Sequence, residues 1–388
     1  MLKKLSLAAL VAMGSMSFAS ASTDLSDAIK GVTIGGYLRY RYTEDNYKAN
    51  GNEANSDNST NNEYKAVVKT SIKASDTVSI HGTFVYKNNF NSNNTGNAKS
   101  DKQNNNANPF NVTETYINYV NAGANVKVGT MNLATPLSDH DDDRGNGLLA
   151  TYTQAGITGA FGYFNDVTNT NGTTTINKNL AVLAVIADIK PAKVQAWYYH
   201  LGNSGSDTKD GAKAYILDAS SNLGVASVKA QYAYAKSNAD DSRAQKFGAI
   251  AVTGNLDIAS ITAAYLKFGG SGSNVAVGTK NADGLIAAGD ILTDIIQQNS
   301  GLQDGYGSAL VAKTKVGAFT PGIQYVHATS DANHDNKKSI FNEYDADLAY
   351  QYNKKLKISG YYAVLKANYD EKPHETQNQG RVEVKYSF

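Results

Sequence analysis

The sequence predicts an all-β fold: a transmembrane antiparallel β-barrel of about 18 strands, with long outer loops at one rim and short turns at the other. Three observations predict it. The chain ends on Arg381–Phe388, where Val382, Val384, Tyr386 and Phe388 alternate with Arg381, Glu383, Lys385 and Ser387. A period of two gives a strand with one apolar and one charged face. A second alternating stretch, Val32–Tyr42, offers this strand a closing partner, which it needs because an open sheet edge does not survive in lipid. Between the two, long polar segments rich in Asn and Ser alternate with turns of two or three residues.

The N-terminus reads as an export signal. Lys3 and Lys4 precede an apolar run from Leu5 to Phe18 and then Ala19-Ser20-Ala21, the order of a charged region, an apolar centre and a small-residue cleavage site. Residues 1–21 are expected to be removed, leaving 22–388 as a single barrel domain. Loss of Lys3 and Lys4 lowers the formal charge of +1 by two, a near-neutral balance that argues against a nucleic-acid partner and a polybasic anchor. The absence of Cys suits an exported chain without disulfides and excludes thiolate metal sites. No apolar run approaches the ~20 residues of a spanning helix. The negative mean hydropathy does not count against a barrel, because its strands alternate. Five Pro, 34 Gly and 25 Tyr suit strands with aromatic girdles.

Taken in order, Thr23–Lys30, closed by Gly31, has room for a short helix. In the first strand, Leu38, Tyr40 and Tyr42 share one face and Tyr37, Arg39 and Arg41 the other. A cation facing the lipid midplane costs about 2–4 kcal/mol, so Arg39 and Arg41 set the register by facing inward. Thr43–Asn62 reads as a polar loop. Glu63–Ser75 follows, with Lys65, Lys69 and Lys73 on one face, and Asp76-Thr77 turns the chain. Val78–Lys87 points His81, Thr83 and Lys87 inward, and Asn88–Asn111 reads as a second polar loop. Further strands are expected near 112–120, 125–131, 148–154, 157–165, 179–188, 193–201, 211–220, 225–236, 244–254, 258–268, 306–315, 319–329, 341–352, 356–366 and 381–388. The phase is ambiguous in Thr158–Asn165, Lys193–Leu201 and Phe319–Thr329, which leaves a 16-strand count open.

Two connections differ from plain loops. Asn132–Gly147 contains Asp139, His140, Asp141, Asp142, Asp143 and Arg144. Gly269–Gly305 contains Leu285, Ile286, Ile291, Leu292, Ile295 and Ile296 at helical spacing, with Asp290 and Asp294 on one face. These apolar side chains are expected to bury in the barrel mouth or lumen.

Candidate functional positions follow from the inward faces. Closure brings Arg381 and Lys385 beside Arg39 and Arg41, and Lys65, Lys69 and Lys73 extend this basic wall. Asp139, Asp141, Asp142 and Asp143 supply an acidic loop. Glu343, Asp345 and Asp347 form a second acidic ladder, backed by outward Tyr344, Ala346, Leu348 and Tyr350. Opposed basic and acidic surfaces set a field across a constriction, and screening leaves much of it intact over widths near the Debye length of about 8 Å. No cofactor is required for this. A Ca2+ ion bridging Asp139 to Asp290 is compatible with oxygen ligation, although the runs from Asp139 and Asp331 lack the Gly and Glu of a calcium-binding loop. There is no G-x-S-x-G and no phosphate-binding loop, and the six His are scattered, so an enzyme is not expected.

Asp27-Ala28-Ile29-Lys30, Leu38-Arg39-Tyr40-Arg41-Tyr42, Glu114–Tyr119, Gly129–Leu133 with Ser138-Asp139, Leu285–Asp290 and the terminal strand, in that order, resemble the Campylobacter-type major outer membrane protein family. The resemblance spans the chain after the leader and is weakest in the loops. The cluster at Asp139–Asp143 is denser than the resemblance leads one to expect. It implies an 18-stranded trimeric porin of the bacterial outer membrane, surrounded by lipid and lipopolysaccharide and inserted by assembly machinery that reads the C-terminal strand. The expected function is passive diffusion of ions and small hydrophilic solutes, with cations favoured. Two alternatives stay open: a substrate-specific outer-membrane channel, and a structural or adhesive barrel whose loops bind surfaces. A lumen filled by side chains would favour the latter.

Overall fold

The computed structural model describes residues 31–49, 56–95, 98–100, 110–169, 175–176, 178–202, 211–239, 242–270, 272–273, 275–277, 282–286, 289–297, 302–331, 338–369 and 375–388. The expected leader and the short helix at Thr23–Lys30 lie outside them. The strands are β1 (Val32–Ala49), β2 (Ser56–Lys73), β3 (Val78–Thr95), β4 (Ala98–Ser100), β5 (Phe110–Asn121), β6 (Ala124–Asn132) and β7 (Asp143–Gln154). They continue as β8 (Ile157–Asn169), β9 (Thr175–Ile176), β10 (Leu180–Ile189), β11 (Ala192–Leu201), β12 (Ala212–Asn222), β13 (Ala226–Ser237) and β14 (Gln245–Asn255). The last are β15 (Ala259–Gly270), β16 (Tyr306–Thr314), β17 (Phe319–Ser330), β18 (Ser339–Gln351), β19 (Leu356–Tyr369) and β20 (Glu375–Ser387), with one helix, α1 (Leu292–Gln297), between β15 and β16.

β4 and β9 are short arms that fold back on β3 and β8. The other strands form a closed, antiparallel, 18-stranded barrel: β1 pairs with β2 on one side and with β20 on the other. At the seam Arg39 lies opposite Lys385, Arg41 opposite Glu383 and Thr43 opposite Arg381. The terminal residue completes the ladder: Gly36 N–H donates to the Phe388 carbonyl at 3.2 Å, and Phe388 N–H donates to the Gly36 carbonyl at 3.1 Å. No edge is left among the spanning strands, as lipid requires.

The strands follow the sequence alternation. Large apolar residues such as Val185, Leu217, Ile250, Ile323 and Leu348 stand exposed on the outer face, where they meet lipid, and Tyr64, Tyr86, Tyr198, Tyr215, Tyr265 and Tyr344 are exposed beside them. Two expectations are corrected. Thr43–Asn62 and Asn88–Asn111 are not simply loops, since β1, β2 and β3 run on through Ala49, from Ser56 and to Thr95. Above the hydrocarbon a strand needs no apolar outer face, so its polar extension carries no periodic signature. The helix in the second special connection is also shorter than its spacing implies: α1 begins at Leu292, so Asp290 precedes it and only Asp294 is helical.

Candidate channel and its inner loops

The inward face of the barrel is of two kinds. Toward the long-connection end of β8–β17 it is largely apolar: Phe164, Leu180, Tyr199, Ile216, Phe247, Leu266, Phe268 and Val326 are all buried at 1% exposure or less, while toward the short-turn end of β11–β14 Lys193, Ser220, Lys229 and Thr253 line a second cavity of about 490 Å3. Inward side chains of a water-filled barrel would be wet; the apolar ones are covered by chain segments inside it. Leu133 and Leu137 of the β6–β7 connection and Val275, Leu285, Ile291, Leu292 and Ile296 of the β15–β16 connection join them in one hydrophobic cluster. Burying an aliphatic side chain is worth about 1.5–3 kcal/mol, enough to hold both connections inside the barrel.

Hydrogen bonds fix how they sit. The two connections pair with each other: Val277 N–H donates to the Leu137 carbonyl (2.8 Å), Asp283 N–H to Ser138 (3.2 Å) and Gly284 N–H to Pro136 (3.1 Å). His140 N–H donates to the Asp283 carboxylate at 2.8 Å. The β15–β16 connection is also tied to the wall on both sides. On β13, Gln231 donates to the Gly284 carbonyl at 2.6 Å and accepts the Ile286 N–H at 2.7 Å. On β18, Glu343 accepts the N–H groups of Ile291 and Leu292 at 2.7 and 2.6 Å. Gly289 passes so close to Glu343, with φ +83°, that a Cβ there would lie 2.4 Å from a carboxylate oxygen; only glycine fits the approach.

The inward faces of β18–β20 and β1–β3 are mostly polar and charged, with Phe341, Ala363 and Leu365 continuing the apolar cluster at the long-connection end of β18 and β19. Arg39 bonds to Glu63, whose other oxygen takes Lys87 at 3.1 Å. Arg41 bonds Glu383 through two nitrogens at 3.0 and 2.7 Å. Lys65 is buried within electrostatic reach of Asp141 and Asp142, and Lys69 is exposed. Lys385 stands over the Tyr37 ring at 4.3 Å. Arg381 donates to Thr43 at 3.2 Å and stacks on Tyr361 at 5.0 Å. Lys73 is at the short-turn rim, paired with Asp76 at 2.9 Å, and does not stand with the others.

A cavity of about 560 Å3 lies between this wall and the inner connection, lined by Arg41, Lys313, Lys357 and Arg381 together with Asp290, Asp347 and Glu383. Lys313 reaches Asp347 at 3.7 Å. Of the acidic ladder, Asp347 alone faces this space; Glu343 and Asp345 are buried, the first as the acceptor for the inner connection. The acidic loop divides in the same way. Asp141 is exposed and Asp139 half-buried, whereas Asp142 and Asp143 are buried and Asp143 opens β7. Arg144, beside them, faces Glu114 at 3.4 Å. Burial, with Asp283 and Asp142 nearby, pushes the Asp139 carboxyl up to about 6. Burial, with Asp345 nearby, pushes Asp290 up to about 6. These are different neighbours: Asp139 accepts N–H groups from Asp141 and Asp142, while Asp290 faces Asp345, Arg381 and Asp347. Among the described residues no three acidic or His groups gather as a metal would require.

Glu63, Lys313, Lys357 and Asp283 take part in this arrangement without having been singled out in the sequence. Glu63 and Lys65 share one strand parity, which was the available clue. Lys313 and Lys357 become neighbours of Asp290 only through the barrel's closure and the path of the inner connection.

A closed 18-stranded barrel with connections folded inside and a charged opening between them is the fold of an outer-membrane porin. The family model for the Campylobacter major outer membrane protein matches residues 1–160, in agreement with the resemblance read from the sequence. Among solved structures, the chain is similar to Pseudomonas aeruginosa OpdQ (TM-score 0.69, 15% identity, 94% of this chain and 99% of that one). It is also similar to Pseudomonas aeruginosa OccK7 (TM-score 0.68, 13% identity, 92% and 98%) and to OpdK of the same organism, solved with vanillate (TM-score 0.66, 12% identity, 92% and 99%). No curated protein sequence matches it.

Proposed function

We propose that the chain is a passive diffusion channel for ions and small hydrophilic solutes, conducting along the charged half of its inner wall and favouring cations. The observation that carries this reading is the 560 Å3 cavity lined by charges of both signs, beside the apolar packing that holds the inner connections against the long-connection end of β8–β17. Water and ions are stable against the first surface and not against the second. Much of the wall's positive charge is compensated within the wall, by Glu63 for Arg39 and Lys87 and by Glu383 for Arg41. Asp139, Asp141, Asp283 and Asp290, carried on the inner connections, then tip the balance toward cations. The porin is expected to be exported with loss of residues 1–21 and to work as a homotrimer.

Single-channel recording in a planar bilayer tests this. Steady ohmic conductance, with a reversal potential on the cation side in a KCl gradient, is expected. A barrel that inserts but does not conduct is structural or adhesive instead. A second reading, a channel selective for small carboxylates, draws on Arg381, which has no carboxylate in ion-pair contact among the described residues and shares the cavity with Lys357. Saturating block of the current by a carboxylate solute would favour it.

A further inference from the structure

On the outside of the barrel, four neighbouring strands carry an unusual row of cations. Lys213 on β12, Lys236 on β13, Lys246 on β14 and Lys267 on β15 are all exposed. Each has the parity of its strand's lipid-facing residues: Tyr215 and Leu217, Tyr232, Ile250 and Val252, and Tyr265 and Ile261. Each alternates with buried inward neighbours such as Ala214, Ala235, Phe247, Leu266 and Phe268. The lysines therefore point away from the lumen.

All four lie toward the end of the barrel that carries the long connections, the extracellular end in the outer-membrane pattern. Lys213, Lys236 and Lys267 are each two residues beyond a tyrosine of their own strand, Tyr215, Tyr234 and Tyr265, and Lys246 lies opposite Tyr234 in register. Tyr215 and Tyr234 stack at 4.9 Å. At about 3.4 Å per residue, and with the strands tilted, the ammonium groups stand just above an aromatic girdle, at headgroup depth.

Among the described residues the row has no ion-pair partner. The outward faces of β11–β15 contain no Asp or Glu. Lys213 and Lys236 are directly opposite one another, an arrangement that destabilises a sheet on its own. Asp304 lies beside Gly269, near Lys246, but among the described residues none of the four lysines forms an ion pair. Four cations across four strands, about 15 Å at the usual strand spacing, present a surface complementary to an anionic partner at headgroup depth.

We propose that this face of β12–β15 docks the phosphate groups of an outer-leaflet lipopolysaccharide, with Lys213, Lys236, Lys246 and Lys267 as ligands and the tyrosines below packing on its acyl chains. The proposal rests on the outer-membrane reading of the barrel but not on conduction.

The test titrates the full-length, delipidated protein in detergent with lipid A, reading bound lipid by native mass spectrometry. Binding that weakens with salt is expected, and changing all four lysines to Gln should lower affinity by roughly a thousandfold at low salt. Four Arg replacements should retain it. Lys315→Gln with Lys354→Gln, both exposed at the opposite rim, should leave it unchanged. Dephosphorylated lipid A should bind weakly, and inorganic phosphate at equal concentration should not displace lipid A. Unchanged single-channel conductance in the Gln variant would separate this surface from the channel. Equal binding of lipid A by wild type and Gln variant would overturn the proposal. So would equal binding of both lipid A forms to the wild type, a result that needs no variant to fold. Efficient membrane cross-linking of two copies through Lys236→Cys would overturn it as well, because the face would then be a subunit contact.

Discussion

The two halves of the inner wall are built by different strands of one sheet with the same alternation, yet they do opposite things. Toward the long-connection end of β8–β17 the inward positions hold side chains such as Phe247, Ile216 and Phe268, each buried at 1% exposure or less. Along β18–β20 and β1–β3 they hold Asp347, Lys357, Arg381, Glu383, Arg41 and Lys69. Apart from the lysine row on β12–β15, the outward faces of both halves carry exposed apolar residues such as Leu217, Ile250, Leu348 and Val382. Inward parity in a barrel can therefore serve as a core or as a channel lining, and its chemistry decides which. The apolar half recruits the two inner connections; the charged half grips the β15–β16 connection at Glu343 and leaves space beside it.

The largest effect should come from breaking the apolar half. Phe268→Ala removes a fully buried ring facing the inner connections and should destabilise the fold by about 3–5 kcal/mol, read as a lower denaturation midpoint in detergent. Arg381→Gln, on the charged half, should move that midpoint far less. Comparable losses from both would erase the distinction.

Next comes the anchor between the halves. Glu343→Ala leaves the buried N–H groups of Ile291 and Leu292 without their acceptor, at about 1–3 kcal/mol for each unsatisfied group. Amide exchange across residues 291–296 should accelerate while that of β18 stays slow. Unchanged protection would mean that apolar packing alone holds the connection.

This contrast also explains what the sequence could and could not disclose. Strands with charged inward faces, such as Val32–Tyr42 and Phe341–Tyr352, alternate cleanly, and their facing followed from Arg39, Arg41, Glu343 and Asp347. Phase was ambiguous in Thr158–Asn165 because both faces there are apolar, one toward lipid and one toward the inner connections, as Phe161 and Phe164 illustrate, and in Lys193–Leu201 and Phe319–Thr329 because each face mixes polar with apolar residues, such as Gln195 and Tyr199 on one and Val194 and His200 on the other. The Leu285–Ile296 patch announced its need for burial. Its partners on β13 and β18 were not legible, since Gln231 and Glu343 meet it only through barrel closure. Nor did the run Asp139–Asp143 reveal that Asp142 and Asp143 are buried whereas Asp141 is exposed.

Charge at the inner connections should have a smaller effect, confined to permeation. Changing Asp139, Asp141, Asp142 and Asp143 to Asn should shift the reversal potential in a salt gradient toward anions, less so at high salt. An unchanged potential at low salt would place that connection outside the conduction path. The smallest expected effect is on pH dependence. Asp139 and Asp290, both pushed up to about 6, are largely ionised at pH 7.5 and largely protonated at pH 5. Cation preference should therefore fall on acidification with a midpoint near 6, and Asp290→Asn should reduce the change. A preference that is flat between pH 5 and 7.5 would show that neither carboxyl faces the permeating ions.

The division of the lumen is tested most directly by accessibility. The chain has no Cys, so single cysteines can be placed at Ser359, which lines the charged cavity, and at Ala233, fully buried on the apolar half. A charged thiol reagent, added during planar-bilayer recording, should modify Ser359→Cys rapidly and reduce the current in discrete steps. Ala233→Cys should stay unmodified with its current intact. Equally fast modification and current loss at Ala233→Cys would contradict the account, because it would put water and ions on the side assigned to packing.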